Sequence, residues 1–174
     1  MRRFLVLAAL LTACHRHQPL PTLSSVPGFT LTAEDGRTFQ STELKGQVWV
    51  ADLIFTSCPD ICPRMSGQMK QVQDGNRQLK LISFTVDPER DTPPALAAYA
   101  KRHKADPQRW NFLTGERQEL DKVGQAFLFG KIHLDHSSRF VLVDRQMRVR
   151  AFYPTDEPDA VARLLQDAAR LQGQ

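Results

Sequence analysis

A chain of 174 residues, 41% apolar and 24% charged, has the length of one domain and can bury a core without metal or disulfide staples. Its formal charge of +4 becomes +2 once two arginines, Arg2 and Arg3, are set aside. No dense Lys/Arg run is interleaved with aromatics, which excludes a nucleic-acid interface.

Residues 1–13 read as a signal peptide. Arg2 and Arg3 supply positive charge, and residues 4–11 form an apolar run far shorter than the roughly 20 residues a membrane-spanning helix needs. The run closes on Leu11-Thr12-Ala13-Cys14, which resembles the bacterial lipobox. That resemblance implies cleavage before Cys14, lipidation of its sulfur, and an exported lipoprotein held on a bacterial membrane, facing the periplasm or the outer side of the cell membrane. Residues 14–27, with Pro19, Pro21 and Pro27 among serines, read as a tether. If lipid consumes Cys14, only Cys58 and Cys62 remain, an even pair that can form a disulfide in an oxidising compartment.

From residue 28 to 172 the pattern is that of a single domain. Residues 29–32 and 37–39 flank Asp35-Gly36 as a small hairpin. Residues 47–55 (QVWVADLIF) and 79–86 (LKLISFTV) are near-continuous apolar runs, the signature of strands buried on both faces. Asp52 interrupts the first and needs a partner or solvent there. Strands are also expected over 140–143 and 148–152. Arg139, Arg145, Arg148 and Arg150 read as a solvated strand face. Helices are expected over 63–73, with Met65, Met69 and Val72 facing the core, and over 93–103, 116–127 and 157–171. Strand, helix, strand, helix, hairpin and helix in that order give an α/β, thioredoxin-like fold with an additional N-terminal β-hairpin.

Chemistry concentrates in Phe55-Thr56-Ser57-Cys58-Pro59-Asp60-Ile61-Cys62-Pro63, directly after the first buried strand. Pro63 has no N–H to give to the carbonyl of Pro59, so the following helix is expected to start at Pro63, leaving residues 58–61 as a loop. Both sulfurs then lie near a helix N-terminus, where a thiolate is favoured. Thioredoxin-type oxidoreductases place two residues between their cysteines, and here there are three. The wider loop can close a disulfide or spread two sulfurs around one ion. Paired thiolates favour Cu(I), zinc or an iron–sulfur centre, and two are too few for structural zinc, so a further ligand must come from elsewhere. His15 and His17 fall in the tether and His103 at a helix end. His133 and His136 precede the strand at 140–143, where a thioredoxin fold brings a loop to face the cysteines. That loop normally carries a cis-proline, and no proline lies between Gln108 and Tyr153. Spacing alone leaves the choice between the two histidines open.

The cysteine segment, together with Thr85-Val86-Asp87-Pro88-Glu89-Arg90-Asp91-Thr92-Pro93 and Asp135-His136-Ser137, resembles the SCO/SenC family of copper proteins over most of residues 28–172. The resemblance implies a thioredoxin fold and a copper ion, Cu(I) or Cu(II), held by Cys58, Cys62 and His136. It further implies a role in assembling the dinuclear copper site of cytochrome c oxidase, with the copper-accepting subunit as partner. Asp87, at the end of a buried strand, is a candidate for orienting His136 or tuning the thiols from outside the ligand set. Its alternative role is to fix its own Asp-Pro turn. The segment after Cys62 reaches Asp74-Gly75 quickly, a shortening that bears on how a client docks.

Two other functions compete with copper delivery. A thiol–disulfide oxidoreductase acting on the copper-accepting subunit would use Cys58 to attack and Cys62 to resolve. A peroxidase-like redox sensor has only the fold in its favour. The first reading carries no enzymatic activity beyond an accessory thiol–disulfide exchange.

Overall fold

The computed structural model describes residues 19–127 and 138–174. In chain order the strands are β1 (Ser24–Ser25), β2 (Thr30–Ala33), β3 (Thr38–Gln40), β4 (Trp49–Ile54), β5 (Lys80–Thr85), β6 (Trp110–Thr114), β7 (Arg139–Val143) and β8 (Arg148–Pro154). The helices are α1 (Ile61–Gly75), α2 (Pro93–Arg102), α3 (Arg117–Ala126) and α4 (Ala160–Gln172). The strands form one sheet in the order β1-β8-β7-β4-β5-β6-β2-β3. β4, β5 and β6 run parallel, and β7 returns antiparallel beside β4 with Ala51 opposite Val141 and Trp49 opposite Val143.

The apolar run of β4 is explained by helices covering both faces of the sheet. Trp49, Ala51 and Leu53 pack with Leu120 and Val123 of α3 and with Phe29, Leu31 and Phe39 of the N-terminal hairpin. Val50 and Ile54 point the other way, into a second core with Met65, Met69 and Val72 of α1, Leu96 and Tyr99 of α2, and Leu164 and Ala168 of α4. Alternation along a strand puts Asp52 on this second face. Met65 and Met69 are fully buried there, as their helical spacing predicts. The hairpin turn uses Gly36 at φ +84°, the left-handed region that glycine enters without steric cost.

Several expectations are corrected. α1 begins at Ile61, two residues before Pro63. The first four N–H groups of a helix have no partner within it, so a proline in the third helical position costs no bond. α4 begins at Ala160 rather than 157, after the Pro158-bearing turn. β6 was not expected at all. Residues 24–25, expected in the tether, pair with Val149 and Arg148 as β1. Arg150 is no solvated side chain: it is 7% exposed and donates to Asp144 at 2.6 Å and to the main-chain carbonyls of Leu20 and Pro21. Arg148 also binds Asp144, and Arg139 lies over the ring of Phe152.

Among the described residues, no helix is long and apolar enough to cross a membrane.

Candidate metal centre

The parallel strands β4 and β5 end on the same rim of the sheet, and the loop leaving β4 carries the cysteines. Cys58 and Cys62 are both free and both buried. Asp60 caps α1 without using its side chain; instead the Cys58 sulfur accepts the N–H of Cys62 at 3.3 Å, filling one of the vacant acceptor places at the helix start. Burial alone would raise the Cys58 thiol. Hydrogen bonds from the Cys62 thiol and from the backbone N–H groups of Cys62, Asp60 and Ile61 outweigh it and hold Cys58 below the ordinary thiol value. Cys62 is pushed up to about 12, first by burial, then by its hydrogen bond to Cys58 and the charges of Cys58 and Asp52. Cys58 is therefore the sulfur that ionises first, with Cys62 holding the pair's proton.

Under this pair lies a buried polar group. Asp52 is fully buried; Ser83 Oγ donates to its Oδ1 at 2.6 Å, and Trp110 Nε1 donates to Ser83 Oγ at 2.9 Å. Among the described residues, Asp52 Oδ2 has no hydrogen-bond partner. Burial drives the Asp52 carboxyl up to about 7, against the hydrogen bond from Ser83.

The root of the cysteine loop is held by Asp91, whose side chain is fully buried. Thr56 donates to it twice, through its N–H at 3.2 Å and its Oγ1 at 2.5 Å, and Thr85 Oγ1 donates at 2.5 Å from the end of β5. No local signal could have identified these contacts, because Thr56 lies 35 residues away in the chain.

Residues 18–171 match the SCO1/SenC family model. The chain belongs to the SCO1/SenC family. Within that family, the SCO1 protein homolog of Bacillus subtilis (strain 168) is 40% identical over 156 residues, covering 82% of this chain and 81% of that protein. BsSco is a member of the Sco family of cytochrome c oxidase assembly proteins in which a disulfide switch was identified. Its solved structure superposes with a TM-score of 0.80 at 30% identity, covering 90% of this chain and 99% of that one. Arabidopsis thaliana ScoI, solved with copper bound, has the same fold, with a TM-score of 0.71 at 23% identity over 84% of this chain and 99% of that one. The thioredoxin-like α/β fold read from the sequence is thus the fold of the SCO1/SenC family.

Not every expected residue of a SCO1/SenC site falls within the described residues. Cys14, His133 and His136 lie outside them. Among the described residues, no three His, Cys, Asp or Glu side chains are grouped to hold a metal. Asp87 accepts from Arg90 at 3.1 Å, while its N–H donates to Thr85 Oγ1 at 2.9 Å, the contacts of a residue fixing its own turn. Ser138, the first described residue after His136, accepts from the N–H of Thr155 at 2.7 Å and enters β7. Because β7 is antiparallel to β4, it begins on the rim where β4 ends.

Proposed function

We propose that this SCO1/SenC protein is a copper metallochaperone. Its cargo is a copper ion taken up by the thiolates of Cys58 and Cys62 and the imidazole of His136, and delivered to the copper-accepting subunit of cytochrome c oxidase during assembly of the dinuclear copper site. The observation that carries this reading is the pair of free, buried cysteines at the N-terminus of α1, on the rim where the histidine-bearing segment rejoins the sheet. Two soft sulfurs, one already favoured as thiolate, suit copper. A set of three ligands leaves the ion open to attack by an incoming thiolate, so transfer proceeds by ligand exchange. Loading requires both cysteines reduced, which makes the redox state of the pair a gate. The lipobox-like Leu11-Thr12-Ala13-Cys14 supports a lipid-anchored, exported protein.

A thiol–disulfide exchange role on the same partner is favoured by one specific feature, the opposite displacement of the two thiols, Cys58 down and Cys62 up. That asymmetry suits an attacking and a resolving sulfur.

Copper titration separates the two. Wild-type protein should take up one ion with a sulfur-to-Cu(II) absorption, which Cys58→Ser and Cys62→Ser abolish. His136→Ala should weaken binding at least tenfold and shift the band, while His133→Ala changes neither. Unaltered affinity and spectrum in His136→Ala, with rapid disulfide turnover, would give the function to exchange chemistry instead.

A further inference from the structure

Asp91 stands immediately before Thr92, the residue that starts α2, yet it does not cap that helix. α2 opens with Pro93 and Pro94, neither of which has an N–H to offer. The hydrogen bonds of the Asp91 side chain turn the other way, to Thr56 and Thr85. Thr56 roots the cysteine loop, two residues before Cys58, and Thr85 ends the neighbouring parallel strand. A carboxylate has two oxygens with about four acceptor places, and here three donors from two segments converge on it, none of them a cation. Thr85 Oγ1 in turn accepts the N–H of Asp87, and the N–H of Asp91 closes back on the Asp87 carbonyl at 2.9 Å. The turn that carries Asp91 is therefore itself fixed, and so is the point from which it holds the loop.

We propose that Asp91 is a positioning residue for Cys58 and Cys62: by clamping Thr56 to the end of β5, it holds the cysteine loop in its dithiol arrangement. In that arrangement the Cys58 sulfur accepts the Cys62 N–H at 3.3 Å. Closing a disulfide brings the sulfurs to about 2.05 Å, and in this proposal that closure reshapes the loop above its root. A clamped root resists that reshaping and favours the dithiol, which is the state that can accept a metal. The clamp thus regulates the gate in the function proposed above, and rests on Cys58 and Cys62 being the working pair.

The acceptor geometry predicts a graded series. An asparagine keeps one oxygen for the Thr56 N–H, a donor that cannot reverse, and turns its amide toward a hydroxyl that can. Asp91→Asn is therefore mild, and Asp91→Ala removes the clamp. Thr56→Val and Thr85→Val each remove one hydroxyl arm and leave the rest.

The test is equilibration with reduced and oxidised glutathione, without copper. One oxidised glutathione accepts the two electrons and two protons of the pair; the Cys58–Cys62 bond forms as the glutathione disulfide breaks into two thiols. Asp91→Ala should shift this equilibrium toward the protein disulfide by about tenfold, a potential change of about 30 mV. Asp91→Asn, Thr56→Val and Thr85→Val should each move it severalfold in the same direction. Asp144→Ala, which removes a buried carboxylate from the opposite rim, should lower the unfolding midpoint and leave the equilibrium alone. Should Asp91→Ala fail to fold, the two valine variants decide. An equilibrium within twofold of wild type in the variants that fold, or a shift toward the dithiol, overturns the proposal. Because no metal enters the measurement, its failure is distinct from failure of the copper titration.

Discussion

Asp52 carries the least satisfied charge in the described residues. One oxygen is held by Ser83, the other has no partner among the described residues, and burial has raised the carboxyl from its ordinary 3.8 to about 7. Between those values the folded protein binds a proton that the unfolded chain has released. Stability from this group is therefore full below about pH 4, falls as the pH rises, and is lost above about pH 7. The total is at most about 4 kcal/mol. Urea unfolding of wild type and Asp52→Asn across pH 4–8 should show the variant gaining relative stability toward neutral pH and levelling off beyond it; parallel curves would remove Asp52 as the cause. The sequence exposed this residue plainly, as an acid inside QVWVADLIF, but not its partner, because Ser83 becomes its neighbour only when β5 pairs with β4. Asp91 was less legible still: its role depends on a threonine in a different loop.

The elements most readable in advance were those whose apolar pattern is unbroken. β4 and β5 are buried on both faces, and α1 repeats Met65, Met69 and Val72 at helical spacing. β6 escaped because Asn111 and Thr114 break its short run, yet all five of its residues are buried. A glutamate before the hairpin turn compensates: Glu34 accepts from the Phe112 N–H at 2.8 Å and from Asn111. Within α1 the methionines act as packing rather than as thioether ligands. Met69→Ala should cost about 2–5 kcal/mol in urea unfolding through the cavity it leaves, with copper stoichiometry unchanged. A loss of metal with little loss of stability would reverse that assignment.

Across the whole molecule, the cysteine loop and the first described residues occupy opposite rims. β1 is two polar residues long and left no periodic trace; it exists because Leu23, Ser24, Ser25 and Val26 lay their main chain along β8. Arg150 completes the arrangement from beneath. Its 8% exposed side chain binds Asp144 and the carbonyls of Leu20 and Pro21, beside the turn that follows Val143. Replacing Arg150 with methionine leaves Arg148 as the cationic partner of the buried Asp144, frees the carbonyls of Leu20 and Pro21, and should cost about 1–3 kcal/mol in urea unfolding, while copper uptake at the far rim stays as in wild type. A variant as stable as wild type would show the guanidinium to be dispensable. Val143 stands opposite Trp49 at the start of β4, and the thiols follow its other end, about 20 Å along the strand. Residues 20–26 are therefore a handle on the blunt end of the body. Whatever takes hold of that handle meets the body across the length of β4 from the thiols, and residues 20–26 leave the reactive rim uncovered.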